Sequence, residues 1–149
     1  MSPHETFFLL PTAQIETELV NNNDNIEFSV VDFPGSHVIK HDSIQHIQSC
    51  GALIYVIDAH NPDTETACKT LNEVIKTTSK IKSDIVYEVL IHKVDSDVLI
   101  SDSHKIAFLN DIQANMREKL AEYRQPISLA FQLTSIYDHT IYEALSKVV

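Results

Sequence analysis

Three apolar, strand-like runs in this 149-residue chain each end in a short polar segment. The segments are Asp-Phe-Pro-Gly at 32–35, His-Lys-Val-Asp at 92–95 and Thr-Ser-Ile at 134–136. Ligands of open α/β sheets bind beyond the carboxyl ends of the strands. If the runs are strands of one sheet, we expect the three segments to meet at one rim.

Strand and helix patterns alternate along most of the chain. The pattern predicts helices at 43–50, 63–80, 102–123 and 141–149, and strands at 52–58, 85–91 and 127–133. Alternation of this length predicts a doubly wound, mostly parallel α/β sheet in a single domain. The run at 52–58 is nearly all apolar, which is typical of a strand buried on both faces.

The N-terminal part of the chain has a different pattern. Strand-like runs at 13–19 and 26–32 flank a cluster of Asn and Asp at 21–25. Such clusters form turns, so the two runs predict an antiparallel hairpin. We expect the hairpin to add one antiparallel strand at an edge of the sheet.

Composition excludes several classes of protein. The net charge of −10 argues against nucleic-acid binding through a basic surface and against adsorption to anionic lipid by charge alone. The longest apolar run, 52–57, is too short to span a membrane, so no direct membrane insertion is expected. Two cysteines without metal-type spacing indicate a reduced, intracellular setting.

The chain contains only two glycines, Gly35 and Gly51. A phosphate-binding loop of the form G-x-x-x-x-G-K-[ST] needs two glycines five apart, followed by Lys. Gly35 and Gly51 are sixteen apart, and neither precedes a Lys. These 149 residues therefore contain neither that loop nor a G-x-G-x-x-G dinucleotide fingerprint.

The first polar segment has the chemistry of a magnesium and phosphate site. Asp32 would hold Mg²⁺ through a water, and Gly35 would let a backbone N–H approach a terminal phosphate. Thr12 lies twenty residues before Asp32, across one hairpin, which suits a threonine whose hydroxyl ligates magnesium. Thr6 is a second candidate, and either threonine is equally well explained as an ordinary strand or loop residue.

The other two segments have the chemistry of a guanine site. The Asp95 carboxylate would accept from the guanine ring N–H and the exocyclic amine, a donor pair that adenine lacks. Lys93 would lay its alkyl stem across the base. Ser135 and the N–H of Ile136 would close the pocket from the other side.

These residues carry a resemblance to the Rag/Gtr small GTPases, specifically the RagC/RagD branch. His92 stands where most Ras-like proteins have Asn and where the RagC branch has His, and the run at 133–139 is similarly branch-specific. Further resembling segments lie at 2–6, 51–59 and 146–149. The resemblance implies that residues 1–149 form a partial Ras-like GTP-binding domain, from the switch I region to the last helix.

The resemblance also implies a function. Rag GTPases bind GTP or GDP with Mg²⁺ and work as heterodimers of a RagC/D-type and a RagA/B-type chain. They signal amino-acid sufficiency to TOR complex 1 from the cytoplasmic surface of the lysosome or vacuole, where a scaffold complex tethers them. The resemblance therefore assigns nucleotide binding to residues Asp32, Gly35, His92, Lys93, Asp95, Ser135 and Ile136, and the metal to Thr12 and Asp32.

The chain departs from that family in three ways. The first strand, phosphate loop and first helix are absent from these residues, so the strands at 26–32 and 52–58 would lose a shared neighbour. We therefore expect low stability of the isolated chain. Ser36 replaces the Gln that orients the attacking water, so no catalytic residue is assigned, although His37 is a possible substitute. The roadblock-type domain that follows in the family lies outside these 149 residues.

Two alternatives remain beside a truncated RagC/D-type GTPase. Ser36 and the missing loop favour a non-catalytic pseudo-GTPase that acts as an interaction module, whereas Lys93 and Asp95 favour a nucleotide-binding protein. An unrelated α/β domain is the second alternative. His37, His41 and His46 would permit zinc binding, but a solvated switch segment explains them more simply, since no cysteine pair accompanies them.

Overall fold

The computed structural model describes residues 12–21, 27–35, 39, 41–60, 63–94, 101–123, 126–137 and 139–147. The chain divides into two compact units between His46 and Ile47. Helix α1 (His41–Ser49) crosses that division.

The first unit contains the predicted hairpin. Strands β1 (Glu16–Asn21) and β2 (Glu27–Asp32) pair antiparallel, with Glu16 opposite Asp32. The prediction of a hairpin is confirmed, although β1 begins three residues later than predicted. Among the described residues the hairpin forms a two-stranded sheet of its own.

The second unit contains the predicted α/β alternation. Its elements are β3 (Ala52–Asp58), α2 (Thr64–Ile81), β4 (Val86–His92), α3 (Asp102–Leu120), β5 (Leu129–Thr134) and α4 (Thr140–Leu145). The three strands are parallel and lie in the order β3-β4-β5. Successive strands are therefore neighbours, and each pair is joined by a helical crossover.

Side-chain caps fix where the two long helices begin. Asp63 accepts from the Thr66 N–H at 2.9 Å before α2, and Ser101 accepts from the His104 N–H at 3.3 Å before α3. These acceptors satisfy backbone donors that have no partner within the helix. The residue types suggest Asp63 as one cap and either Ser101 or Asp102 as the other, and the structure selects Ser101. Both helices begin within one residue of the predicted position. None of the described helices is long and apolar enough to cross a membrane.

The core lies on one face of the three-stranded sheet. Alternate strand residues such as Ile57, Val89 and Ile91 pack there against apolar residues of α2 and α3. Leu71 and Met116 are completely buried. Apolar burial of this kind is the main source of stability of the unit.

The opposite face of the sheet does not fit the prediction that β3 is buried on both faces. Ile54 is 39% exposed and Val56 is 57% exposed. The reason is that β3 is an edge strand among the described residues, and helices α2 and α3 pack on the other face. Towards β5, the same face carries polar side chains that bond to one another. The Lys147 ammonium donates to the Gln132 side-chain oxygen on β5 at 3.0 Å, and the Gln132 amide donates to the Glu88 carboxylate on β4 at 3.1 Å.

Candidate functional site

The carboxyl ends of the three parallel strands lie in one row. Asp58, the last residue of β3, is opposite His92, and His92 is opposite Thr134 in the strand register. The His-Lys segment that begins at 92 and the Thr-Ser segment that begins at 134 therefore meet at one rim, as predicted for this unit. This rim, formed by residues 58–60, 92–94 and 134–136, is the candidate site.

Lys93 has an unusual backbone conformation at this rim. Its φ is 65°, and it is the one residue with positive φ among those the structure describes. This left-handed region is unfavourable for a residue with a β-carbon. The conformation turns the chain sharply after β4, and local contacts must compensate for its cost.

Three contacts join the loop after β3 to the loop after β4. The Lys93 ammonium donates to a carboxylate oxygen of Asp58 at 2.6 Å, and the Ala59 N–H donates to the His92 carbonyl at 2.9 Å. The His60 Nε2 lies 3.3 Å from the Lys93 carbonyl oxygen, at hydrogen-bond distance. The backbone of Lys93 and its side chain are thus both held from the neighbouring strand.

Asp58 is the acceptor that links these contacts. Its second carboxylate oxygen accepts from the His60 N–H at 2.9 Å. Partial burial acts to raise the pKa of this carboxyl, but the hydrogen bonds from Lys93 and His60 and their positive charge together lower it. Asp58 therefore stays ionised at neutral pH and forms an ion pair with Lys93.

The loop after β5 is tied to the same row. The imidazole Nδ1 of His92 lies 3.0 Å from the Thr134 hydroxyl, and the Val94 N–H donates to the Thr134 carbonyl at 3.4 Å. Thr134 is completely buried. His92 therefore contributes to the rim by packing and hydrogen bonding between two strand ends.

Ser135 and Ile136 stand at the outer side of the rim. The Ser135 N–H donates to the Thr140 hydroxyl, and the Ser135 hydroxyl oxygen accepts from the Tyr137 N–H, both at 3.0 Å. These bonds shape a tight turn into α4, in which Ser135 is buried and Ile136 is 47% exposed. The Ile136 side chain is thus accessible to a ligand.

The predicted metal residues meet in the first unit. The Thr12 hydroxyl donates to the Asp32 carboxylate at 2.6 Å, although twenty residues separate them in sequence. A hydroxyl and a carboxylate supply oxygen ligands of the kind that Mg²⁺ prefers. In the same unit, the ring of Phe33 lies edge-on to that of His46, with centroids 6.1 Å apart.

Several predicted residues lie outside the described part of the chain. They are Thr6, Ser36, His37 and Asp95. Gly35 is described, and a β-carbon built there would meet no other described atom within 4 Å. A glycine at 35 is therefore not required by the packing of the described residues.

Asp58 ends a strand, so the sequence suggests that it caps the following loop. The bond from the His60 N–H agrees with that role. The ion pair with Lys93 was missed. The available signal was that Asp58 ends one predicted strand and Lys93 directly follows the next predicted strand along the chain, which places a carboxylate and an ammonium at one rim if the two strands pair in parallel.

A cavity of about 280 Å³ lies elsewhere, between α3 and β5. Its walls include Met116, Leu120 and Phe131, which belong to the core or pack against it, together with Arg117. None of the rim residues borders this cavity. The cavity is separate from the rim and is not the candidate site.

Comparison with known proteins identifies the family. Residues 1–149 match the family described as the Gtr1/RagA G protein conserved region, and the chain belongs to that family. It is 40% identical over 153 residues to "Ras-related GTP-binding protein C" of Homo sapiens, and 41% identical over 153 residues to "Ras-related GTP-binding protein D" of Mus musculus. It is 38% identical over 154 residues to "GTP-binding protein gtr2" of Schizosaccharomyces pombe.

Each match covers the whole of this chain but less than half of the relative. The covered shares are 37% for the human protein, 33% for the mouse protein and 47% for the yeast protein. The RagC/RagD-type resemblance and the α/β fold expected from it are confirmed.

Proposed function

We propose that this chain is the guanine-nucleotide-binding part of a RagC/D-type GTPase subunit. The observation that carries the proposal is the alignment of Asp58, His92 and Thr134 at adjacent strand ends. This alignment brings the segments at 92–94 and 134–136 to one rim, which is where α/β sheets bind ligands. Relatives named as GTP-binding proteins support guanine as the base.

The base would bind at this rim. The Lys93 side chain is 57% exposed, so its alkyl stem is free to cover one face of a purine. The exposed Ile136 would contact the base from the side of β5. Asp95 would accept from the guanine ring N–H and amine, and Ser135 would shape the turn whose Ile136 N–H faces the base.

The phosphate and metal end is proposed for the first unit. Thr12 and Asp32 would supply oxygen atoms to Mg²⁺, directly from the hydroxyl and through water from the carboxylate. The backbone N–H of Gly35 would approach the terminal phosphate, where the open space at its α-carbon permits close contact. Bound Mg²⁺ would neutralise charge on the phosphate oxygens.

The partners follow from membership of the family. We propose that the subunit pairs with a RagA/B-type GTPase and acts at the cytoplasmic surface of the lysosome or vacuole. There a scaffold complex would hold the heterodimer, which would report amino-acid sufficiency to TOR complex 1. The net charge of −10 supports attachment through protein contacts in preference to anionic lipid.

A second candidate function is supported by Ser36. The family has Gln at this position to orient the attacking water, and the Ser side chain is too short for that task. A pseudo-GTPase that binds partners without hydrolysing GTP would tolerate this replacement. Single-turnover GTP hydrolysis, with Ser36→Gln as the gain-of-function variant, distinguishes the two functions.

The base assignment is tested by Asp95→Asn. Xanthine carries a carbonyl where guanine carries its exocyclic amine, so an Asn amide can donate where the carboxylate accepts. We expect GDP affinity to fall about 10-fold or more and XDP affinity to rise, measured by calorimetry on the chain with its partner subunit. The control is Asp111→Asn, which removes an exposed carboxylate on α3.

The outcome separates the candidates. An unchanged GDP-to-XDP ratio in Asp95→Asn would refute the guanine-reading role of that residue. Absence of guanine-nucleotide binding by the unsubstituted protein would refute the proposed function and leave the interaction module. Equal losses in Asp95→Asn and Asp111→Asn would show a general effect of charge.

A further inference from the structure

We propose that Asp58 is a positioning residue that anchors the Lys93 ammonium and thereby sets the alkyl stem of Lys93 for stacking on a purine base. The inference rests on the proposed function, which it deepens by adding a residue from the loop after β3. The residues that carry it are Asp58, His60 and Lys93.

The first step is the anchor itself. The Lys93 Nζ lies 2.6 Å from Asp58 Oδ2, a short distance typical of a charge-assisted hydrogen bond. Asp58 cannot swing away easily, because its other oxygen accepts from the His60 N–H. The carboxylate is thus oriented by its own loop before it meets the ammonium.

The second step is the backbone of Lys93. Its positive φ points the side chain away from the direction that it would take if the strand continued. His60 Nε2 at the Lys93 carbonyl and the Ala59 N–H at the His92 carbonyl hold the turn from the same neighbouring loop. Residues 58–60 therefore restrain both ends of Lys93, its backbone and its ammonium.

The third step is the effect on a ligand. A lysine stem has four rotatable bonds, and ordering it upon binding opposes association. An ammonium already held by Asp58 leaves the stem extended before the base arrives. Stacking on an aliphatic stem does not distinguish one purine from another, so Asp58 would affect the affinity of all purine nucleotides equally.

This distinction gives a signature that Asp95 would not produce. Loss of the anchor lowers GDP and XDP affinity by the same factor and leaves their ratio unchanged. Loss of a base-reading group changes the ratio. The effect of Asp58 also passes entirely through Lys93, so it should vanish when Lys93 is replaced.

The test compares Asp58→Asn with a matched control, Glu65→Gln. Glu65 also pairs with a lysine, Lys69, at 2.8 Å, but the pair lies on the exposed surface of α2. In the chain with its partner subunit, we expect Asp58→Asn to weaken GDP and XDP binding about 3- to 10-fold each. We expect Glu65→Gln to change neither, and Asp58→Asn to add nothing to Lys93→Ala.

A second measurement is independent of nucleotide. The Lys93 ammonium held by Asp58 should give a slowly exchanging ¹⁵N-correlated NMR signal, assigned by its absence in Lys93→Ala. Asp58→Asn should remove that signal while Glu65→Gln retains it. Thermal unfolding of each variant shows whether the fold is kept.

The outcomes separate the two proposals. If the unsubstituted protein binds no guanine nucleotide, the proposed function fails, while the NMR signal still tests the anchor. The positioning role is overturned if Asp58→Asn keeps the Lys93 signal, changes the GDP-to-XDP ratio, or weakens binding further in the Lys93→Ala background. It is also overturned if GDP affinity changes less than about 1.5-fold in a folded Asp58→Asn variant.

Discussion

At the scale of single residues, the rim depends on one ion pair in a partly exposed position. The Asp58 and Lys93 side chains are 40% and 57% exposed, so water and salt screen their attraction. Such a pair adds little to the stability of the fold. Its value lies in holding the Lys93 side chain at a defined place beside the paired strand ends.

The depressed pKa of Asp58 predicts how acid acts on this pair. A carboxyl whose folded pKa lies below its unfolded value stabilises the fold above the unfolded pKa, and this contribution is lost as pH falls through the folded pKa. With an ordinary Asp value of about 3.9, the loss falls below about pH 4. We expect the Asp58→Asn variant to lose less folding stability than the unsubstituted protein as pH falls through that window, measured by circular dichroism.

The control for this acid titration is the Glu65→Gln variant. Glu65→Gln tests a carboxyl whose pKa is lowered chiefly by a hydrogen bond from Lys69 on the exposed face of α2. Identical acid profiles for the unsubstituted protein and Asp58→Asn would show that Asp58 has no depressed pKa. At neutral pH all three proteins should retain the same secondary structure.

At the scale of secondary-structure elements, α2 is joined to β4 by a buried hydroxyl pair. Thr78 on α2 and Tyr87 on β4 place their hydroxyl oxygens 2.8 Å apart, and the two side chains are almost fully buried. The Thr78 hydroxyl is also 2.8 Å from the Val74 carbonyl within its own helix. This geometry fixes the rotation of α2 on the sheet that carries the rim.

The hydroxyl pair predicts a specific loss of stability. Thr78→Val leaves the buried Tyr87 hydroxyl without its partner, and we expect a cost of about 1–3 kcal/mol in the free energy of unfolding. The matched control is Thr77→Val on the exposed side of α2, where Thr77 bonds only to the Glu73 carbonyl among the described contacts. That change should cost no more than about 0.5 kcal/mol, as measured by urea denaturation.

A second substitution checks the cause. Tyr87→Phe removes the other hydroxyl of the pair. If the pair is the source of the loss, the double variant with Thr78→Val should be less destabilised than the sum of the single changes. Equal costs for Thr78→Val and Thr77→Val would contradict the prediction.

At the scale of the whole molecule, the three-stranded sheet has one covered and one partly open face. Core residues of α2 and α3 cover one side, whereas Ile54, Val56 and Val86 are exposed on the other. The chain spans less than half the length of the relatives with which it was compared. Whether this apolar patch is solvated in the assembled protein can be measured directly.

The exposed patch predicts that the same change, Val to Thr, has a different cost in the free energy of unfolding at an exposed and at a buried position. Val56→Thr places a hydroxyl on a side chain that is 57% exposed, and we expect a cost of at most about 0.5 kcal/mol in the isolated chain. Val89→Thr places the same group in the core, where Val89 is completely buried, and should cost about 1–3 kcal/mol. Urea denaturation with and without the partner subunit measures both.

Other outcomes of these two measurements would lead to different conclusions. A cost of Val56→Thr that approaches that of Val89→Thr in the isolated chain would show that the open face is covered there. If the cost rises only when the partner subunit is added, the patch is buried in the assembly. Equal small costs for both variants would contradict the assignment of the core.

Much of the fold was accessible from sequence because the signals were local. Asp63 and Ser101 mark the helix starts through bonds to residues three positions away, and short apolar runs mark the strands. The exposure of Val56 was not accessible, since an apolar run looks the same whether one face or both are covered. Helical spacing in the sequence also places Ile106 on one apolar stripe of α3 with Leu109 and Ile112, yet Ile106 is 54% exposed in the structure.

The order of strands and helices, the hairpin and the residue types at the rim could all be read from the chain, because they follow from nearest neighbours and periodicity. Which of these groups meet became clear from the folded molecule alone. The parallel register places Asp58 beside Lys93, and the hairpin brings Thr12 to Asp32. Pairing between distant segments depends on register and on backbone conformation, including the positive φ of Lys93, and neither has a local signature.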